Sequence, residues 1–461
     1  MPGKRKGRLN PGSLADLSRR GRGAGVRARQ GLGQCLGLCV GLLLAVAGSA
    51  NAAPLSTAKP SQGAAPSPQM QFPVEAMGFV RPPQSYLPYR IPAATLDFLD
   101  ATHLLFTFHK AALMQRLPDD PETDMDQTVR AVVIHLPDGK VEAEGSWRLH
   151  DRDRYLWMLP GGRFLLRMRN TLYVSDKSLA LRIYLHPEGT FVTADFSPDG
   201  SEMAVQFANP EPAAAGDGEE TTAPSLGADA PHFPDKPKQY TLLLVDNDLH
   251  QATRLGHLLH PVLLPLLQGG YLGVEQGRGK DWSVMLNSFA GKQRAVAHVT
   301  SACQPLVNPL NGHIFLVRSC IPYSTDRVAD AFDLNGKKLW EQMWQSRFTW
   351  GTFGYSAAGN RFAYGSVEVN HSVADLDPVD TSSILGQPVG TFDVETGKPQ
   401  LVLDASPILS AGENFSLSPD GDKLAILRDG SIEVFAMPPL PPSVESATGV
   451  AAAAAGATVG H

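Results

Sequence analysis

The chain has 461 residues, 43% of them apolar and 19% charged, with a formal net charge of −6. An apolar share of that size excludes wholesale disorder and supports a sizeable core. The 44 glycines and 37 prolines favour many short strands joined by tight turns over long helices.

The first segment reads as an export signal. Lys4, Arg5, Lys6, Arg8, Arg19, Arg20, Arg22, Arg27 and Arg29 form a basic region, and Leu36 to Ala47 an apolar one. Ala50-Asn51-Ala52 is a small-residue cleavage site, with Ala53 as the mature start. The apolar run is too short to span a bilayer, so no integral membrane segment is expected after cleavage. Ser18-Arg19-Arg20 hints at a twin-arginine signal, but Gly21 and Arg22 follow where a large apolar residue belongs. Cleavage removes nine basic residues and Asp16, leaving 31 basic and 45 acidic residues, a net charge near −14. A body that acidic repels phosphate backbones, so nucleic acid is not an expected partner.

Residues 53–73 are rich in Pro, Ala, Ser and Gln and read as a flexible linker. The extended segment from about Val74 to Ile91 belongs to no repeat. From about residue 94 a pattern recurs: a short apolar strand, a Gly/Asn/Asp turn, a second apolar strand, then a second hairpin. The first turns fall at Asp100, Gly161-Gly162, Asp199-Gly200, Gly269-Gly270, Asn311-Gly312, Gly359-Asn360 and Asp420-Gly421. Asp138-Gly139-Lys140, Asn335-Gly336-Lys337 and Thr396-Gly397-Lys398 are typical second hairpins. Gly, Asn and Asp suit hairpin turns because they tolerate positive φ. Seven such units, each of four strands called a to d, predict an all-β, seven-bladed β-propeller over residues 74–436. The seventh unit ends after its c strand at Ala436-Met437-Pro438-Pro439, so the segment before the first unit is expected to supply the missing outer strand. Residues 437–461, proline-rich and then Ala/Gly-rich, read as a disordered tail, and the insertion at about 209–239 reads the same way.

Phe196-Ser197-Pro198-Asp199-Gly200 and Leu417-Ser418-Pro419-Asp420-Gly421 are the clearest copies of the first turn. On these residues the chain resembles WD-repeat-like propellers of the Tol-system type over about residues 94–436. The resemblance implies the fold and leaves the partner open.

Cys35 and Cys39 leave with the signal, so the mature chain holds Cys303 and Cys320. Treating Asn311-Gly312 as a two-residue turn places them opposite each other at a non-hydrogen-bonded site, where Cα atoms approach to about 4.5 Å. A disulfide is therefore expected in an exported chain. Pro305 and Pro309 fall on the same class of site.

In a propeller the a–b and c–d turns share one face, and the b–c and d–a connections share the other. The long insertions, Lys110 to Thr128, Asn209 to Gln239 and Glu368 to Gln387, are all b–c loops. Long loops on one face of a rigid scaffold are where binding is usually built. The first carries Asp119, Asp120, Glu122, Asp124 and Asp126, and the third carries His371, Asp375, Asp377 and Asp380. Clustered carboxylates can hold Ca²⁺, but neither loop has the calcium-loop spacing, and solvated acidic loops are the simpler reading. The same face holds Arg278, Lys280, Asp281 and Trp282, then Tyr323, Asp326 and Arg327, of a type common at interface anchors. The candidate partner-binding residues are thus Asp124, Asp126, Arg278, Trp282, Tyr323, Arg327, His371, Asp375 and Asp377.

Catalytic, cofactor and metal signals are absent. Gly354-Tyr355-Ser356-Ala357-Ala358-Gly359 has the wrong length for a nucleophile elbow, so Ser356 reads as structural. His257 and His260 lack a third ligand for zinc. Val262 to Leu267 reads as a buried strand. The expectation is a monomeric, exported, periplasmic or extracellular, non-enzymatic module that binds an envelope or secreted protein through its b–c face. Its alternatives are a hydrolase or lyase acting on glycan or peptide at the channel mouth, and a structural role in which the flexible N-terminal tether and tail merely space the domain from a surface.

Overall fold

The computed structural model describes residues 66–81, 94–110, 126–150, 154–209, 239–374, 378–408 and 413–440. The segment that reads as an export signal, most of the one that reads as a linker, and residues 210–238 and 441–461 lie outside them.

The described residues form seven antiparallel sheets around a common axis, each with a path of four strands; blade 6 carries a short fifth strand, and in all but blade 7 the four follow sequence order. Blade 1 comprises Ala94–Asp100, His103–His109, Gln127–His135 and Lys140–Leu149. Blade 2 comprises Leu156–Leu159, Arg163–Met168, Thr171–Ser175 and Arg182–Leu185. Blade 3 comprises Thr190–Phe196, Glu202–Ala208, Tyr240–Asp246 and Gln251–Leu258. Blade 4 comprises Leu266–Leu267, Gly270–Gln276, Asp281–Ser288 and Gln293–Thr300. Blade 5 comprises Leu306–Pro309, Ile314–Cys320, Arg327–Asp333 and Lys338–Trp344. Blade 6 comprises Phe348–Tyr355, Arg361–Val369, Pro388–Asp393 and Pro399–Asp404. Blade 7 comprises Phe415–Leu417, Lys423–Arg428 and Ser431–Ala436, completed by Met70–Pro73.

The ring is closed by an N-terminal strand, but one residue block earlier than the sequence suggests. Met70–Pro73 pairs antiparallel with Ser431–Val434, inside what reads as linker. After it comes a short 3-10 turn, Glu75–Met77, not a continued strand. That turn seats Val74 and Phe79, both buried, against Phe106 and Phe108 of blade 1 and Leu427 and Ile432 of blade 7.

A single four-stranded sheet exposes both faces to water. Here the main apolar clusters straddle two neighbouring blades, so both faces of a sheet are covered. Leu105 and Trp147 of blade 1 meet Phe164 of blade 2, whereas Phe106 and Phe108 face the closing segment. Alternation along one strand therefore serves two interfaces.

The Ser-Pro-Asp-Gly turns show why the motif recurs. Ser197 Oγ donates to Asp199 Oδ1 (2.6 Å), the Ser197 amide donates to Glu202 O (3.0 Å), and Gly200 has φ 72°. Blade 7 repeats this with Ser418, Asp420, Lys423 and Gly421. A Cβ on Gly200 would lie 2.8 Å from Met158 O of blade 2, and one on Gly421 would lie 2.7 Å from Asn360 Oδ1 of blade 6. Each turn thus touches the preceding blade. Blade 6 has the same geometry without the motif. Ser356 is buried, its amide donates to Arg361 O, and the Gly359 amide donates to Ser356 O. Ser356 is a turn residue.

Two other expectations shift. The blade 5 hairpin is one residue out of the expected register: Leu306 faces Arg318 and Pro309 faces Phe315. Asn311 Oδ1 accepts the amides of His313 and Ile314 (both 2.8 Å), which builds a three-residue turn. Cys303 then lies before the strand, and the disulfide to Cys320 still forms, with Cα atoms 5.5 Å apart. Val262 to Leu267 is mainly a d–a connection, and only Leu266 and Leu267 pair as strand. Pro261 and Pro265 interrupt the ladder, and blade 3 side chains satisfy the loop instead. Gln206 accepts the Val262 amide (2.9 Å) and donates to its carbonyl (2.5 Å), while Asp195 Oδ2 accepts the Leu264 amide (3.0 Å).

Candidate functional face and channel

Strand a runs from the b–c end of the barrel to the a–b end, b returns, c goes out and d returns. Every b–c and d–a connection therefore opens on one face. The six described residues among the nine candidates, Asp126, Arg278, Trp282, Tyr323, Arg327 and His371, all lie at that end. Asp124, Asp375 and Asp377 lie outside the described residues.

Several of the six are held by the fold. Asp126 is buried and pairs with two guanidiniums, Arg148 (3.2 Å) and Arg169 (3.0 Å), and with the His150 ring at Nδ1 (3.2 Å). Because Arg169 belongs to the b–c turn of blade 2, this carboxylate ties two blades together. The Trp282 indole donates to Ser301 O (3.2 Å). The Arg327 guanidinium lies against the disulfide, 3.4 Å from Cys303 Sγ. His371 pairs with its neighbour Asn370 (2.8 Å). Arg278 and Tyr323 project outward, and Tyr323 is fully exposed with φ 61°.

The blade 6 loop is more ordered than its composition suggests. Its return limb, Ile384–Gly386, pairs with Glu368 and Val369. Asp380 caps the intervening turn by accepting the Ser382 amide (2.9 Å). Beneath it Trp350, Val367, Val369, Val373, Val379 and Ile408 form a small core.

Sequence reasoning missed the apolar part of this face. Leu259 and Leu263 on the blade 3 to 4 connection, Leu306 and Met343 of blade 5, and Leu385 of blade 6 are all exposed, beside the expected Tyr323. Each sits at or near the b–c end. A Leu-rich run between two prolines, at 262–264, was the available signal.

The a strands enclose an axial channel of about 750 Å³ whose lining includes Asp97, Arg154, Asp195, Asn308, Tyr355 and Glu413. Arg154 and Glu413 precede their a strands, which puts them at the b–c mouth. Arg154 Nε lies 3.7 Å from Glu413 Oε1. Glu413 has φ 60°, and its carbonyl accepts the Leu96 amide (2.9 Å), so its backbone is fixed by the blade 7 to blade 1 joint. Burial pushes the Asp97 carboxyl up to about 7, against the pull of Arg154, with Glu413 adding repulsion. Burial likewise raises Glu413, and raises Asp195 to about 6 although the Leu264 amide opposes it. Asn308 Oδ1 is buried without a hydrogen-bond partner. A carboxyl near neutrality, beside a cation and a second carboxyl, is a competent proton donor or acceptor.

No protein-family model matches the chain, and no curated protein matches it. Solved structures do. TolB from Acinetobacter baumannii is 14% identical, with 70% of this chain and 80% of that chain covered and a TM-score of 0.33. An oligogalacturonate lyase from Vibrio parahaemolyticus is 10% identical, covering 74% and 97%, with a TM-score of 0.38. Pyrococcus horikoshii acylaminoacyl peptidase is 12% identical, covering 73% of this chain and 49% of that one, with a TM-score of 0.43. At these similarities the assignment as a propeller rests on the strand pairing itself.

Proposed function

We propose that the protein is an exported, non-enzymatic propeller that binds another envelope or secreted protein through its b–c face. The observation that carries this reading is the gathering of exposed Leu259, Leu263, Leu306, Tyr323, Met343 and Leu385 at one end of blades 3 to 6. Exposed apolar side chains rimmed by loops favour protein docking. The Cys303–Cys320 disulfide supports an oxidising compartment. The test places a photo-crosslinking residue at Tyr323 or Leu385, and at Leu249 on the opposite face as control, in the native host. A defined adduct from the first two positions, absent at Leu249 and lost when Leu263 and Leu306 become Ser, supports the reading. Equal labelling from both faces overturns it.

One observation favours a second reading, a hydrolase or lyase acting on glycan or peptide at the channel mouth: the Asp97, Arg154 and Glu413 grouping with its near-neutral carboxyl. Turnover of a glycan or peptide panel by the wild-type chain, abolished in Asp97→Asn, supports it. No turnover by the wild-type chain removes it.

A further inference from the structure

On the face opposite the docking surface, we propose that blade 1 carries a zinc site formed by His103, His135 and Glu142. His103 opens strand b, His135 ends strand c, and the two are direct cross-strand partners. Glu142 comes from strand d. The c–d ladder pairs Val133 with Ala143 and Ile134 with Val141, leaving Glu142 as the extra residue of a β-bulge. Bulges re-aim side chains, and this one brings Glu142 Oε2 to 3.1 Å from His103 Nε2. One ring nitrogen of each histidine and one Glu142 oxygen all lie within 4.8 Å of one another. Tetrahedral zinc with bonds of about 2.1 Å holds its ligand atoms roughly 3.4 Å apart, so small rotamer adjustments complete the geometry.

The surrounding carboxylates point the same way. His103 Nδ1 bonds to Asp100 (2.8 Å), and His135 Nδ1 bonds to Asp138 (2.8 Å). A histidine that donates Nδ1–H to a carboxylate keeps Nε2 as a lone-pair donor in a fixed orientation, the usual support of a metal-bound imidazole. Two such histidines beside a third ligand are hard to ascribe to chance pairing of surface charges. Two imidazoles and one carboxylate suit zinc better than calcium or magnesium, which take oxygen ligands. Three protein ligands leave a fourth position for water, and Glu142 and His135 are accessible enough for metal entry.

The test uses the full chain, stripped with chelator and titrated with ZnCl₂ by calorimetry and with Co²⁺ by visible absorption. The expected result is one equivalent of zinc, a four-coordinate cobalt spectrum, and a melting temperature that climbs with zinc concentration. Asp138→Asn should weaken zinc about tenfold or more, as loss of a supporting carboxylate does. His135→Ala and Glu142→Gln should weaken it further, and His257→Ala should leave it unchanged. His135 and Glu142 are partly exposed, so these variants are expected to fold, and Asp138→Asn serves if either does not. Binding below half an equivalent, a six-coordinate cobalt spectrum, or affinity unaffected by Asp138→Asn, His135→Ala and Glu142→Gln would overturn the proposal.

Discussion

Replacing Phe79 by Ala should open the joint that closes the ring. Phe79 is 5% exposed, and its ring centroid lies 5.7 Å from those of both Phe106 and Phe108, edge-on to the latter. Burying roughly 200 Å² of aromatic surface at ~25 cal/mol per Å² amounts to about 5 kcal/mol, an upper bound because the denatured chain is already compact. Core Phe→Ala substitutions cost about 3–5 kcal/mol, so a loss of about 4 kcal/mol is expected. Urea denaturation followed by tryptophan fluorescence gives the stability, and limited proteolysis reports whether the segment before blade 1 is released first. Val80→Ser, at a neighbouring but exposed position, should stay within about 0.5 kcal/mol. A Phe79→Ala loss under about 1 kcal/mol, or one no larger than that of Val80→Ser, would refute the view that this segment clamps blades 7 and 1.

Three further outcomes follow from the same geometry. Converting Cys303 and Cys320 to Ser opens a loop with a sequence separation of 17, which in the chain-entropy account costs about 3 kcal/mol; reduced wild-type protein should match the variant in denaturant midpoint, and an unchanged midpoint contradicts the bond's contribution. Gly200→Ala must hold a side chain at φ 72° with Met158 O 2.8 Å from its Cβ. It should lose at least about 1–2 kcal/mol by thermal denaturation, and a neutral result would mean the blade 2 to 3 contact yields freely. Asp97 has its folded pKa raised to about 7 from 3.8, so the native state holds its proton more tightly than the unfolded chain. Its contribution is fully present below about pH 4 and is lost as pH rises towards 7. Asp97→Asn should flatten stability against pH across that window and gain relative to wild type at pH 8; parallel profiles would dispose of the assignment.

The blade count and the turn chemistry were legible because they are local. A Ser and Asp that bond each other, followed by a glycine with positive φ, announce themselves within five residues. Two of the shifts came where distant groups decide, and one where a side chain reshaped its own turn. Met70–Pro73 is too short to read as a strand until Ser431–Val434 is seen beside it. The hairpin of blade 5 gains a residue because the Asn311 side chain takes two amides that a two-residue turn would leave elsewhere. Val262 to Leu264 looks like core by composition, yet Gln206 and Asp195 satisfy its backbone and leave Leu263 outside. That the six described candidates share the b–c end was readable from strand order. The division of labour was not: Asp126 is held inside a cluster of cations, whereas Tyr323 stands free in solvent. His103, His135 and Glu142 lie on three strands and meet only through cross-strand register and a bulge.

Closure by Met70–Pro73 also dictates an order of assembly. Blades 1 to 6 can each pair their own strands as soon as they are synthesised, since every one is contiguous in the chain. The last blade cannot, for its outer strand was made first and must wait for Ser431–Ala436. Until then the side of blade 1 that Leu427, Ile432 and Val434 will cover stays open, and the unclosed ring offers a sheet edge to any neighbour of its kind. The pairing of the two ends joins residues more than 350 apart in sequence, so its loop-closure cost is among the largest in the domain, and pairing between unclosed chains is the outcome it competes with.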